Sequence, residues 1–355
     1  MGAKIPASQV SSRQKYSFDD SEYVLVNFIM TPPKHLIVIH GRATKPAERE
    51  KKRLVKESIL HGLGRVSPEA AAKIRSGEVK LSLAYYGDIS NEEMVKAGKK
   101  VLQELKGRDP DHGNAPCELD GSYDADLKSL FTRKSFTKSD YNKLLKEVTD
   151  LGVVDNVASA VSGVLNLLGL SDRVIRAATP DMGAYLTQRT VGSAVRVRLQ
   201  KPLESALKKN ADVCLVAHSM GCIVSYDTLW KFSRMSEYSH LRGKKVNRWI
   251  TLGCPLGEPG VQDNLYDASE GKDGKYPTGI INKWINFAAK DDFVAHDEDL
   301  ADDFREMIVR GFVSSIVDKK IYNFWSGSGG SNPHKLYGYL DHPDVAKEIA
   351  NWVND

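Results

Sequence analysis

Cysteine is scarce, and its spacing offers nothing for cross-linking. Cys117, Cys214, Cys222 and Cys254 are the only four in 355 residues, and no two form a C-x-x-C pair. Three of them lie inside apolar segments, as small buried side chains do. A disulfide framework and a zinc site are therefore not expected. Charge of one sign is missing too. The chain carries 50 basic and 46 acidic side chains, a net +4, which is too even to predict a nucleic-acid partner. The basic stretch Lys45–Ser58, "KPAEREKKRLVKES", mixes both signs and reads as a solvated helix face. Long hydrophobic runs are absent, since no stretch approaches the roughly 18 apolar residues of a membrane span. The first twenty residues hold no apolar core of a secretory signal, and Pro6 occupies the position where a myristoylation site needs Ser or Thr. These absences predict a protein of a reducing, cytosolic setting with no membrane insertion. The 41% hydrophobic and 27% charged residues that remain suffice for a core without staples.

What is present is a series of short apolar runs, each stopped by a turn. "EYVLVNFIM" is a strand candidate closed by Pro32 and Pro33. "HLIVIHG", His35 to Gly41, is continuously apolar, which is how a strand covered on both faces of a parallel sheet reads. Helical spacing follows at Leu54, Val55, Ile59 and Leu60. "SPEAAAKI" then supplies Ser67 as an N-cap with Pro68 in the first turn. "VKLSLAYYGD" alternates as a strand that ends at Gly87. Further strands are expected in "DVCLVAHSMG", "VNRWITLGCPLG", "NKWINFAAKDD" and "KKIYNFW". Helices are expected in "CIVSYDTLWKFSR" and the closing "HPDVAKEIANWV". Strands alternating with helices predict an α/β fold, a mostly parallel sheet with helices on both faces. One link is far too long for a crossover. The excess suggests three parts: a first stretch of core over 1–90, an inserted helical cap over 91–190, and a second stretch of core over 191–355. The carboxylate-rich run Asp109–Asp126 lacks the glycine and closing glutamate of a calcium loop.

Sites in open parallel sheets form at the carboxyl ends of strands, so the strand exits hold the candidates. "AHSMG" places Ala217 and Gly221 two residues to either side of Ser219. A tight strand-to-helix turn needs small residues there, and it would lift the serine out of the core beside the first amides of a new helix. An ordinary helix cap is the plainer reading of the same residues. A serine hydroxyl needs a base. His334, after the flexible "SGSGGSNP", is preferred over His342, which reads as the entry to the last helix. His218 and His296 are less well placed, and His218 is expected to pack or bond locally. The acid is expected at Asp292, with Asp291 close behind and Glu258 third, because Phe293–Ala295 gives the chain an apolar return. Backbone donors for a developing oxyanion are expected from Met220 and from the Gly41–Arg42 turn after the first central strand. That turn also reads as a plain strand end.

"VIHG", "YYGD", "LVAHSMG", "TLGCPLG", "DDFVA" and "PHKLYGYL" together resemble the α/β-hydrolases, in particular their serine esterases and lipase-like members. The resemblance runs from about residue 35 to the C-terminus and skips the inserted region. Ala217 replaces the commoner first glycine of the serine motif, and Phe293 stands where many relatives have Pro. The resemblance implies an α/β-hydrolase fold with Ser219 as nucleophile, His334 as general base, Asp292 as its orienter, and Met220 and Arg42 as oxyanion donors. It also implies hydrolysis of a small-molecule or lipid ester through an acyl-serine, with no metal or organic cofactor. Thioester or amide hydrolysis, acyl transfer to an alcohol, and a non-catalytic binding role on the same scaffold are the alternatives.

Overall fold

The computed structural model describes residues 31–42, 45–96, 180–290, 292, 299–323, 325–327, 330–331 and 333–355. The strand expected at 22–30, positions 97–179 of the expected cap, Cys117, the acidic run 109–126, Asp291, Phe293 and His296 lie outside the described residues.

Six parallel strands make one sheet: β1 (Lys34–Ile39), β2 (Lys80–Ala84), β3 (Asp212–His218), β4 (Val246–Leu252), β5 (Ile281–Ala289) and β6 (Ser315–Ile321), in the order β2-β1-β3-β4-β5-β6. The principal helices among the described residues are α1 (Glu48–Val66), α2 (Pro68–Ser76), α3 (Gly87–Lys96), α4 (Pro180–Thr187), α5 (Arg189–Lys208), α6 (Met220–Arg234), α7 (Leu336–Asp341) and α8 (Pro343–Asn354). β1 shows why the sheet needs two helical layers. Leu36 and Val38 join a core with residues of α1, α2, α7 and α8, while Ile37 and Ile39 join a second core with residues of α4, α5 and α6. Alternate residues point to opposite faces, so a continuous apolar run buries both. Each such side chain contributes about 1.5–3 kcal/mol of burial. Among the described residues no helix is long and apolar enough to cross a membrane.

The described ends of the 91–190 segment belong to the core. α4 buries Met182 and Tyr185 in the same cluster as β1 and β3, and α3 packs beside α4.

Two strand limits differ from expectation. β2 stops at Ala84, and α3 already begins at Gly87. The Tyr86 amide leaves the ladder to bond His40 Nε2 (3.1 Å), and the Tyr85 hydroxyl bonds the Pro46 carbonyl (2.7 Å). The last strand lies earlier than "KKIYNFW", at Ser315–Ile321. It is an edge strand with polar, partly exposed positions, so its apolar signal is weak. Asn323 beyond it is drawn off to carbonyls of a later loop. The "SGSGGSNP" run, expected to be flexible, holds a two-residue antiparallel pair, β7 (Ser326–Gly327) with β8 (Gly330–Ser331).

Ser67 caps α2 as expected, its hydroxyl accepting the Ala70 amide at 3.3 Å. His342 caps α8, its Nδ1 accepting the Asp344 amide at 3.1 Å. An imidazole can accept there only while that nitrogen is bare. Burial, aided by the Arg65 charge, pushes His342 down to about 3 from an ordinary 6.5. Between those values the unfolded chain binds a proton that the fold refuses. Stability is therefore lost as pH falls through 6.5, by about 2 kcal/mol at pH 5. His342→Asn keeps a capping acceptor that does not titrate. Its unfolding midpoint should drop less between pH 7 and pH 5 than the parent's. His35, pushed down to about 4 chiefly by burial, should leave a residual slope. Identical pH dependence in the two proteins would mean His342 charges freely in the fold.

Candidate active site

Strand order reverses at β1. The chain moves from β1 outward to β2, then returns to lay β3 on the other side of β1. Exits on either side of such a switch diverge and leave a crevice, and here they carry Gly41 and Ser219. The register pairs Ile39 with Ala217, Ala217 with Thr251 and Leu252 with Phe287, so the exits of β1, β3, β4 and β5 reach one edge together. Backbone bonds prolong that alignment past the strands. The Ser219 amide donates to the Leu252 carbonyl (3.0 Å), and the Gly253 amide donates to the Phe287 carbonyl (3.1 Å).

Ser219 links β3 to α6 with φ +53° and ψ −128°. A residue with a Cβ is strained there by about 1–3 kcal/mol. The strain is maintained by what lies on either side: Ala217 is fully buried in the sheet, and α6 starts at Met220. Gly221 lets the helix begin that close to β1, since a Cβ on it would stand 2.7 Å from the His40 carbonyl oxygen. The serine makes no cap bond to the helix it precedes. Its Oγ lies 2.8 Å from His334 Nε2 instead.

His334 Nδ1 in turn lies 2.8 Å from Asp292 Oδ2. The Asp292 side chain is fully buried and that of His334 is 16% exposed. The Nδ1–H tautomer satisfies both contacts: Nδ1 donates to the carboxylate, and Nε2 is left to accept the serine proton. Asp292 reaches this position because its amide turns back onto the Ala289 carbonyl (2.9 Å) at the end of β5. Its Oδ2 also accepts the Tyr339 hydroxyl at 2.6 Å.

The loop bearing His334 is held by its carbonyls. Asn323 Nδ2 donates to the Pro333 oxygen (2.6 Å) and the Lys335 oxygen (3.0 Å). His218 Nε2 donates to the oxygen of His334 itself (2.8 Å). Three consecutive carbonyls are thus fixed by two buried side chains. α7, which follows at once, is joined to α1 by Lys51 Nζ on the Tyr337 hydroxyl (2.8 Å), and by His61 (2.6 Å) and Arg65 (2.9 Å) on the Asp341 carboxylate. Burial, then the His334 charge, pushes His218 well below the ordinary histidine range, with Lys51 and Lys45 adding to it. His218 therefore stays neutral and adds no second cation beside the base.

Gly253 closes the constellation. Its φ is +52°, and a Cβ on it would stand 2.8 Å from Asp292 Oδ2 and 3.1 Å from His334 Nδ1. That is the space between the carboxylate and the imidazole. Gly253→Ala should leave the sheet intact yet push the pair apart, lengthening the contact between His334 Nδ1 and Asp292 Oδ2 beyond hydrogen-bond range in a crystal structure of the variant. An unchanged 2.8 Å contact there would mean that the strand exit yields instead.

The other expected residues fall as follows. A Cβ on Gly41 would lie 2.8 Å from Ser219 Cβ, so the β1 exit abuts the serine. The Arg42 carbonyl accepts from Lys45 Nζ (2.6 Å). Burial lowers the pKa of the Arg42 guanidinium, and the Asp181 charge on α4 opposes this. Met220 supplies the first amide of α6. His342 is engaged as the cap of α8, and Glu258 lies buried in the turn after β4, its carbonyl accepting the Val261 amide (2.9 Å). His218 does bond, but to a residue 116 positions away rather than locally. Asn323, Tyr339 and Gly253 join the site without having been among its expected residues. A glycine two residues from a proline at a strand exit is a visible signal for Gly253. Nothing in sequence separates Tyr339 from Tyr337.

No protein-family model matches this chain, and neither a curated protein nor a solved structure does.

Proposed function

We propose that the protein is a serine hydrolase of α/β-hydrolase type that cleaves carboxylic esters. The observation that carries this is the unbroken line from Ser219 Oγ through the His334 ring to Asp292 Oδ2, with 2.8 Å at each step. A structural serine would cap α6, whereas the Ser219 side chain makes no cap bond to that helix and its hydroxyl meets an imidazole that a buried carboxylate orients.

In this reading Ser219 Oγ attacks the ester carbonyl carbon while His334 Nε2 takes its proton. The carbonyl π bond opens to an oxyanion, for which the amides of Met220 and Arg42 are the proposed donors, beside Gly41. The C–O bond to the alcohol then breaks, and His334 returns the proton to the departing oxygen. Water repeats the sequence on the acyl-serine: its proton goes to His334, the acid leaves, and Ser219 Oγ recovers its hydrogen. Asp292 accepts the Nδ1–H bond throughout and balances the imidazolium. The buried setting supports this, because an ion pair attracts more strongly where water is excluded.

A fluorophosphonate probe tests the reading directly. The expected result is a single covalent adduct located on Ser219 by peptide mass spectrometry, and none after heat denaturation. Labelling elsewhere, or none, would overturn it.

A further inference from the structure

Tyr339 has no part in the chemistry just described, yet it touches the acid. Its hydroxyl donates to Asp292 Oδ2 at 2.6 Å and accepts the Ala289 amide at 3.1 Å. The side chain is completely buried. A tyrosine whose hydroxyl merely needed a partner when buried would be satisfied by either contact alone. This one uses both its proton and a lone pair, and both partners lie on the same short turn. Ala289 ends β5, and Asp292 leaves that turn three residues later.

The position of Tyr339 in the chain matters as much as its bonds. It belongs to α7, which begins two residues after His334. The base and the acid come from segments 42 residues apart, and Tyr339 is on the base's segment while bonding the acid's. Its ring also packs 5.8 Å from that of His218, whose Nε2 holds the His334 carbonyl. α7 is itself anchored on α1 through Tyr337 and Asp341. Hence one rigid helix sets the height of the imidazole and the rotation of the carboxylate together.

We infer that Tyr339 is a positioning residue of the catalytic acid: its hydroxyl ties Asp292 to the end of β5 and shares the Oδ2 atom that faces His334. This inference rests on the serine-hydrolase reading and deepens it. Two donors on one carboxylate oxygen compete for its charge. With the phenol in place, part of that charge is drawn to Tyr339, and the carboxylate cannot turn away from the imidazole. The carboxylate meets the imidazole of His334 and the phenol of Tyr339, and His218 lies behind both.

Tyr339→Phe removes the hydroxyl and keeps the ring. It should lower kcat for p-nitrophenyl acetate by about 10- to 100-fold, the value of a hydrogen bond to a charged group. KM should stay put, since Tyr339 touches no substrate. The acidic limb of the pH–rate profile should move to higher pH, because the unshared carboxylate holds the imidazolium more strongly. The proton resonance of the imidazole N–H bonded to Asp292 should shift as well, and that readout is independent of turnover. A variant with 3-fluorotyrosine at 339 retains size, ring and hydroxyl, so it keeps the test alive should the Phe variant fold poorly. Its more acidic phenol should move the limb the opposite way. A merely structural tyrosine would change the melting temperature and leave the limb, the resonance and kcat per labelled site unchanged. That result, with fluorophosphonate still labelling Ser219 in the parent, overturns the inference alone. Absence of labelling in the parent overturns the hydrolase reading and the inference with it.

Discussion

Ser219→Ala should slow ester turnover by roughly 10^6-fold, the loss found when a triad nucleophile acting as part of a unit is removed. His334 and Asp292 keep their contact, and the amides at Met220 and Arg42 are backbone, so substrate polarisation survives. What vanishes is the hydroxyl oxygen, 2.8 Å from His334 Nε2, that would form the covalent bond to the acyl carbon. Residual catalysis falls to water approaching the same carbonyl. The fold should hardly notice. Alanine has a Cβ like serine, so the strained φ of +53° costs the two about equally. The lost hydrogen bond is worth about 0.5–1.5 kcal/mol. Far-UV circular dichroism should match the parent, with the melting temperature within a few degrees. Turnover within tenfold of the parent, on protein free of contaminating esterase, would remove Ser219 from the chemistry.

The sheet was legible because its inner strands are apolar on both faces. The apolar runs Leu36–Ile39 and Val213–Ala217 leave no polar position for solvent, and β1 and β3 neighbour each other inside the sheet. The edge strand β6 was misplaced for the converse reason. Its Asp318, Lys319 and Lys320 give no alternation, while the nearby Tyr322, Phe324 and Trp325 do attract the eye. α5 shows a signal that charge masks. Val195, Leu199 and Leu203 repeat every four residues along one face, but Arg196, Arg198, Lys201 and Glu204 are interleaved with them and Pro202 interrupts the pattern. At the candidate site, positions at strand exits could be read from order alone, because parallel topology brings all exits to one edge. The supports could not. Asn323 holds carbonyls ten and twelve residues ahead, His218 holds one 116 residues ahead, and Tyr339 bonds 47 residues back. Each is an ordinary polar residue whose partner is fixed only when separate segments pack. Local pattern carries no information about such pairs.

Asp292→Asn isolates the charge of the acid from its shape. The hydrogen bonds from His334 and Tyr339 converge on Oδ2. An amide can place its oxygen there and keep both donors, or place its nitrogen there and clash with both. In the first orientation the tautomer of His334 is preserved and only the charge is lost. In the second, His334 Nδ1 must accept, Nε2 carries the proton, and Ser219 has no base. Either way the imidazolium formed during attack has no buried counter-charge. The expected fall in kcat is about 10^4-fold, as for loss of the acid from other triads. The fall is expected without loss of the fold, because Asn is isosteric and Gly253 leaves no room for rearrangement beside it. The double variant Ser219→Ala/Asp292→Asn gives the sharper measurement. An acid that acts only through His334 on Ser219 has nothing left to assist once the hydroxyl is gone. The double variant should therefore be about as slow as Ser219→Ala alone. Losses that multiply would place the effect of Asp292 outside the line of three groups, and the aligned contacts would then be packing rather than catalysis.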